Sequence, residues 1–137
     1  MEKTLLIIKP DAVAKRLAGK ILQRVTAEGF RVCALRPERL TTEMASEFYR
    51  VHQDKSFYQN LVEFMISGPI LVAVLEKENA INDLRKLIGA TDPRAAREGT
   101  IRREFAEDGS KNAVHASDSV ETAREEIAFF FQPHELS

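Results

Sequence analysis

The chain has 137 residues and carries 20 Lys and Arg against 21 Asp and Glu, a formal charge of −1. That length suits one domain over residues 1–137, and 44% hydrophobic with 30% charged residues is an ordinary globular composition. The balanced charge excludes the broad basic footprint of a duplex-binding protein, but not a small anion held by a few placed cations.

In chain order, Leu5 to Ile8 is a short apolar run, read as a buried strand that stops at a Lys9-Pro10-Asp11 turn. The run is too short for a signal-peptide core and far below the roughly 20 residues that span a bilayer. No membrane partner is expected, and the cytoplasm is the expected compartment. Ala18 to Glu28 spaces Ile21, Leu22 and Val25 as a helix does, and Gly29 supplies the stop. Phe30 to Leu40 predicts a second strand with Val32, Ala34 and Arg36 on one side. Cys33 is the only cysteine, so no intrachain disulfide forms, and its flanks predict a buried structural thiol.

Thr41-Thr42 is a candidate N-cap for a helix carrying Met44, Phe48 and Val51. A further helix is expected over Phe57 to Ser67, ended by Gly68-Pro69. Ile70 to Leu75 is unbroken, branched and apolar, the pattern of a central strand. Asn79 to Ile88 predicts a helix with Ile81, Leu84 and Leu87 to Ile88 on one face. Gly89 to Lys111 shows no periodicity, and a structureless segment of that length is usually functional or disordered. Ala113 to Ala116 predicts a short strand. Ser119 to Phe131 predicts a helix with Val120, Ala123, Ile127, Phe130 and Phe131 as its stripe and Asp118 with Glu121 as a capping box. The alternation of strands and helices favours an α+β sandwich of the ferredoxin-like βαββαβ type. It has a four-stranded antiparallel sheet and added helices.

Three histidines occur at spacings that match no metal motif. His52 and His134 read as surface residues. His115 lies in Asn112-Ala113-Val114-His115-Ala116-Ser117-Asp118-Ser119, among small residues that leave room for a ligand. Both a buried hydrogen-bonded histidine and a nucleophile fit that setting. Glu126, at the border of the last helix's apolar stripe, is placed to orient the imidazole, whereas Glu125 reads as solvated. Lys9 continues the inward row of Leu5 and Ile7. Arg85, Arg94, Arg97, Arg102 and Arg103 offer planar forks for phosphate oxygens, and Thr91 offers a hydroxyl. Neither common glycine-rich phosphate loop occurs. Tyr49 and Phe57 flank the polar stretch Arg50 to Ser56 and read first as core aromatics.

Taken together, Ile8-Lys9-Pro10-Asp11, Ser67-Gly68-Pro69, Gly99-Thr100-Ile101-Arg102 and the Asn112 to Ser119 motif resemble those of the nucleoside diphosphate kinases, over essentially the whole chain. The resemblance implies a ping-pong transfer of a γ-phosphoryl group from a nucleoside triphosphate to a nucleoside diphosphate, with broad base and sugar tolerance. By motif, His115 corresponds to the nucleophile that becomes pros-phosphohistidine, and Glu126 to the glutamate on its far ring nitrogen. Lys9, Tyr49, Arg85, Thr91, Arg102 and Asn112 correspond to residues around phosphates and ribose, and Ser117 and Asp118 to the turn supporting the histidine. Phe57 corresponds to the aromatic on which the base stacks, which replaces its reading as core. Mg2+ is implied on the nucleotide phosphates, held mainly by the nucleotide and water, with no direct protein ligand.

The resemblance also implies a homo-oligomer, tetramer or hexamer, and no specific nucleic-acid partner. The chain departs from the family at Ser56 (commonly proline), Ala116 (frequently glycine) and Arg16 (usually glycine). Its end at Ser137, without the extension of many eukaryotic members, resembles the bacterial type. The competing reading is a nucleotide-binding module without catalysis.

Overall fold

The computed structural model describes residues 1–137. Its sheet has four strands in the order β2-β3-β1-β4, with β1 Glu2–Ile8, β2 Arg31–Glu38, β3 Ile70–Lys77 and β4 Val114–Ala116. All three pairings are antiparallel: β1 with β3, β1 with β4, and β2 with β3. The helices are α1 Pro10–Ala14, α2 Ala18–Ala27, α3 Thr42–Phe48, α4 Tyr58–Met65, α5 Ala80–Ile88, α6 Ile101–Phe105 and α7 Val120–Phe130. This is the expected α+β sandwich of ferredoxin-like topology.

Alternation along β1 divides the core. Leu6 and Ile8 face a layer built with Ile21, Val25 and Leu84, from α2 and α5. Leu5 and Ile7 face a layer built with Ala45, Val62 and Phe130, from α3, α4 and α7. A strand covered on both faces must be apolar throughout, which is why Leu5 to Ile8 and Ile70 to Leu75 carry no alternation of polar residues. Burying apolar area at about 25 cal/mol per Å² makes these two fully covered strands substantial contributors to stability.

Several elements differ from the reading of the sequence. Lys9-Pro10-Asp11 does not end in a simple turn. Lys9 caps α1, with Pro10 in the first helical position where its missing N–H costs nothing. A bulge between Val32 and Ala34 inserts Cys33. The bulge sends Val32 to the α2/α5 layer and Ala34 to the other, so the two do not share a side. Cys33 is buried, as its flanks predicted. Val51 leaves the helix that Thr41 caps and sits 78% exposed in the turn of Arg50–His52.

The segment 89–111 is not structureless, since it contains α6, capped by the Thr100 hydroxyl accepting from Arg103 N. Ser119 with Thr122, rather than Asp118 with Glu121, forms the capping box of α7. Val120 is 45% exposed and does not belong to the helix's buried stripe.

Candidate active site

The site is assembled on β4, an edge strand of only three residues that pairs with β1 alone, His115 lying opposite Ile7. The edges of Phe48 and Tyr49 face the imidazole, with ring centroids 5.4 and 5.9 Å away. Its Nε2 lies 3.0 Å from Glu126 Oε1, the same oxygen to which Ser117 Oγ donates at 2.7 Å. An ionised carboxylate can only accept, so a ring proton faces it on Nε2, and in the neutral imidazole this tautomer leaves the lone pair on Nδ1. Ser117 is itself fixed, its hydroxyl accepting from Leu5 N at 3.3 Å. Glu126 reaches in from α7 with its side chain 19% exposed, while Glu125 is exposed, as the stripe predicted.

Cations line the other side. Lys9 is only 6% exposed, and its Nζ donates to Asn112 Oδ1 at 2.8 Å. Burial, reinforced by the Arg102 charge and opposed by Asp11, lowers its pKa from 10.5 to about 8. Arg102, on α6, is 8% exposed and donates to Asn112 O, Gly89 O and Val114 O at 3.3, 3.1 and 2.8 Å. Burial and the neighbouring Arg85 charge lower its pKa to about 10. Arg85, exposed on α5, donates to Ala116 O at 3.4 Å. Asn112 Nδ2 donates to Thr91 O at 3.4 Å, which brings the exposed Thr91 to the same rim.

The Tyr49 hydroxyl is buried without a hydrogen-bond partner. Burial, with the Glu126 charge adding to it, pushes its pKa up, so it remains a neutral donor. Phe57 is 48% exposed and joins the site through aromatic neighbours: its ring lies 5.4 Å from His52, which stacks 6.5 Å from Tyr49. His52 is therefore half-buried between two site aromatics rather than free on the surface. Nothing in its spacing signals that; only the turn at Arg50–His52 does.

The other arginines do not converge here. Arg94 pairs with Asp92 and is 90% exposed, and Arg103 donates to the carbonyls of Arg94 and Ala96. Asp11 was read only as part of a turn, yet it donates structure to the site: its Oδ2 accepts Ala113 N–H at 3.1 Å. The available signal was an acidic residue two positions after the inward lysine. Two clefts of about 380 and 460 Å³ lie elsewhere, and neither contains His115. The site is marked by converging charge and by an oriented imidazole.

No group of three or more His, Cys, Asp and Glu is arranged to hold a metal. The only carboxylate touching the imidazole is already engaged by His115 and Ser117, and Lys9, Arg85 and Arg102 supply positive charge around it. Such a donor set fits a divalent ion that arrives on phosphate oxygens and repels a free one.

The model of the nucleoside diphosphate kinase family matches residues 2–136. Nucleoside diphosphate kinases of Campylobacter jejuni and Pasteurella multocida are 54% and 55% identical over 136 residues, covering 99% of this chain and 99% and 98% of theirs. The crystal structure of the Aquifex aeolicus nucleoside diphosphate kinase superposes with a TM-score of 0.97 at 51% identity, over 99% of both chains. A halophilic nucleoside diphosphate kinase from Halobacterium salinarum, solved in complex with CDP, superposes with 0.96 at 38% identity, over 99% of this chain and 91% of that one.

Proposed function

The chain belongs to the nucleoside diphosphate kinase family, and from that premise we propose how its residues carry out the transfer. The enzyme moves the γ-phosphoryl group of a nucleoside triphosphate to a nucleoside diphosphate, and the family uses a divalent cation. In the first half-reaction the Nδ1 lone pair of His115 attacks the γ-phosphorus. The bond to the bridging oxygen breaks, and the diphosphate leaves with the electron pair. In the second, a terminal oxygen of another diphosphate attacks the phosphohistidine, and Nδ1 regains its lone pair. The ring proton stays on Nε2 throughout, held by Glu126, which Ser117 orients. One observation carries this assignment: Nε2 bound at 3.0 Å to a carboxylate that itself accepts from Ser117.

Phosphoryl transfer asks mainly for positioning and charge stabilisation. Lys9 and Arg102 supply charge to the phosphates, Arg85 and Thr91 close the rim, and Tyr49 supplies a donor. Asn112 holds Lys9 through Oδ1 and the carbonyls of Thr91 and Gly109 through Nδ2, which shapes the rim where sugar and phosphates would sit. Phe57 stacks the base without reading its edge, which accounts for broad base tolerance. The CDP complex of the halophilic relative supports a nucleotide in this groove. We assign the cation as Mg2+: held mainly by the nucleotide and water, it would neutralise phosphate charge, with no side chain of this chain as a direct ligand. We also propose that residues 1–137 act as one domain in the cytoplasm and assemble as a homo-oligomer, tetramer or hexamer. The sheet edge β2 with its 48%-exposed Leu35 supports assembly, and solution mass tests it.

The transfer itself is tested with γ-labelled ATP. The protein is expected to acquire acid-labile, base-stable phosphate that ADP or dTDP removes, and His115→Ala is expected to acquire none. A His115→Ala variant that labels and turns over normally sinks the nucleophile assignment. Nucleotide binding by the parent chain without any labelling favours the binding module instead.

A further inference from the structure

Ala113 enters β4 two positions before His115 with φ +73, a region that residues with a Cβ rarely occupy. Val114 N–H donates back to Asn112 O at 2.9 Å, so residues 112–114 form a γ-turn of the rare, strained kind. The turn is gripped from several directions. Arg102 donates to the carbonyls of Asn112 and Val114, and Lys9 N–H donates to Ala113 O at 2.8 Å. The remaining donor, Ala113 N–H, is held by Asp11 Oδ2 at 3.1 Å. The second oxygen of that carboxylate, Oδ1, is buried without a hydrogen-bond partner.

A buried carboxylate oxygen without a protein partner is costly to keep. Strained backbone persists only where its surroundings over-determine it. Both costs fall on one contact, and that contact lies at the entrance to the shortest strand of the sheet. β4 has three paired residues, so its own ladder constrains it weakly, and the turn sets the height at which it presents the imidazole.

We propose that Asp11 is a positioning residue for His115, acting through the γ-turn at Ala113. Its carboxylate holds the turn in the left-handed conformation and so fixes β4 where Nδ1 meets the γ-phosphorus. The inference rests on the reading of His115 as the phosphoryl acceptor.

The experiment measures the rate of protein labelling from saturating γ-labelled ATP in a single turnover. Asp11→Asn and Asp11→Ala both remove the charge that faces Lys9, and only Asn keeps an acceptor for Ala113 N–H. Asp11→Asn is expected to retain most of the rate, and Asp11→Ala to lose on the order of tenfold to a hundredfold, as misplaced reacting groups do. ADP affinity, read by calorimetry, is expected to change alike in the two. Asp11→Ala combined with Ala113→Gly is expected to regain most of the loss, because glycine adopts positive φ unaided.

Equal slowing of the Asn and Ala variants, a wild-type rate in Asp11→Ala, or no recovery in the double variant overturns the proposal. Ala113→Val tests the turn with Asp11 intact, should Asp11→Ala not fold: slowed labelling is expected, and a wild-type rate again overturns it. His115→Ala serves as the separate control. Labelling of that variant defeats the acceptor reading, whereas a silent His115→Ala beside a normal Asp11→Ala defeats only the role given to Asp11.

Discussion

A lysine stripped of most of its water holds its proton less tightly than one at the surface, and under the proposed function Lys9 does so in the path of a polyphosphate. Below its pKa of about 8 it is charged both in the fold and in the unfolded chain, and the cost of burying that charge is fully present. As pH rises from about 8 towards 10.5 the folded protein releases the proton first, so the unfolded chain binds more protons and stability increases. The shift corresponds to about 3 kcal/mol. Nucleotide binding runs the other way, since the phosphates need the charge. We therefore expect kcat/KM to fall along a limb with its midpoint near pH 8, and Lys9→Met to give a low profile without that limb. A pH-rate profile with an unchanged limb in Lys9→Met would show that another group titrates there. The depth of Lys9 was legible in the sequence because it continues the row of Leu5 and Ile7. The part played by Asp11 was not, since its partner Ala113 is 102 positions away.

At the scale of elements, turn chemistry decides more than propensity. Helix α1 ends in a Schellman motif: Leu17 N donates to Ala12 O and Arg16 N to Val13 O, both at 3.0 Å, with Arg16 at φ +61. That backbone is the physical reason the family usually has glycine here, and the departure at Arg16 carries a conformational cost. Arg16→Gly is expected to stabilise the protein by about 0.5–1 kcal/mol, since left-handed backbone without a Cβ clash costs less. Chemical denaturation checks this, and a loss of stability would mean that the exposed arginine side chain contributes more than its backbone costs. The same reasoning explains what the sequence hid. A helix as short as α6 offers barely one turn of periodicity, and it exists because Thr100 caps it and Arg102 grips three carbonyls. A bulge at Cys33 cannot be seen in alternation that looks acceptable on either side of it. For α7 both Asp118 and Ser119 have capping chemistry, and the backbone conformation at Ser119 chose between them.

For the whole molecule, a net charge of −1 conceals a cluster of cations, Lys9, Arg85 and Arg102, gathered from the end of β1, the last turn of α5 and the start of α6. Gathering like charges costs energy that a bound polyphosphate returns, so nucleotide should stabilise the fold as a whole. At one hundred times its dissociation constant, ADP is expected to add about 2.7 kcal/mol and raise Tm by roughly 10 °C. GDP and dTDP should do nearly as well at matched saturation, because the stacking proposed for Phe57 reads no base edge. Scanning calorimetry checks this, and a shift confined to one base would refute the stacking account. The sequence by itself determined the strands, most of the helices and the family, because apolar periodicity, residue type and short motifs are local properties. The meeting of Nε2 with Glu126, the strained turn at Ala113 and the place of His52 between two aromatics were decided only by tertiary structure. Each depends on how far apart two segments lie after the sheet has ordered its strands β2-β3-β1-β4, and no local pattern encodes that distance.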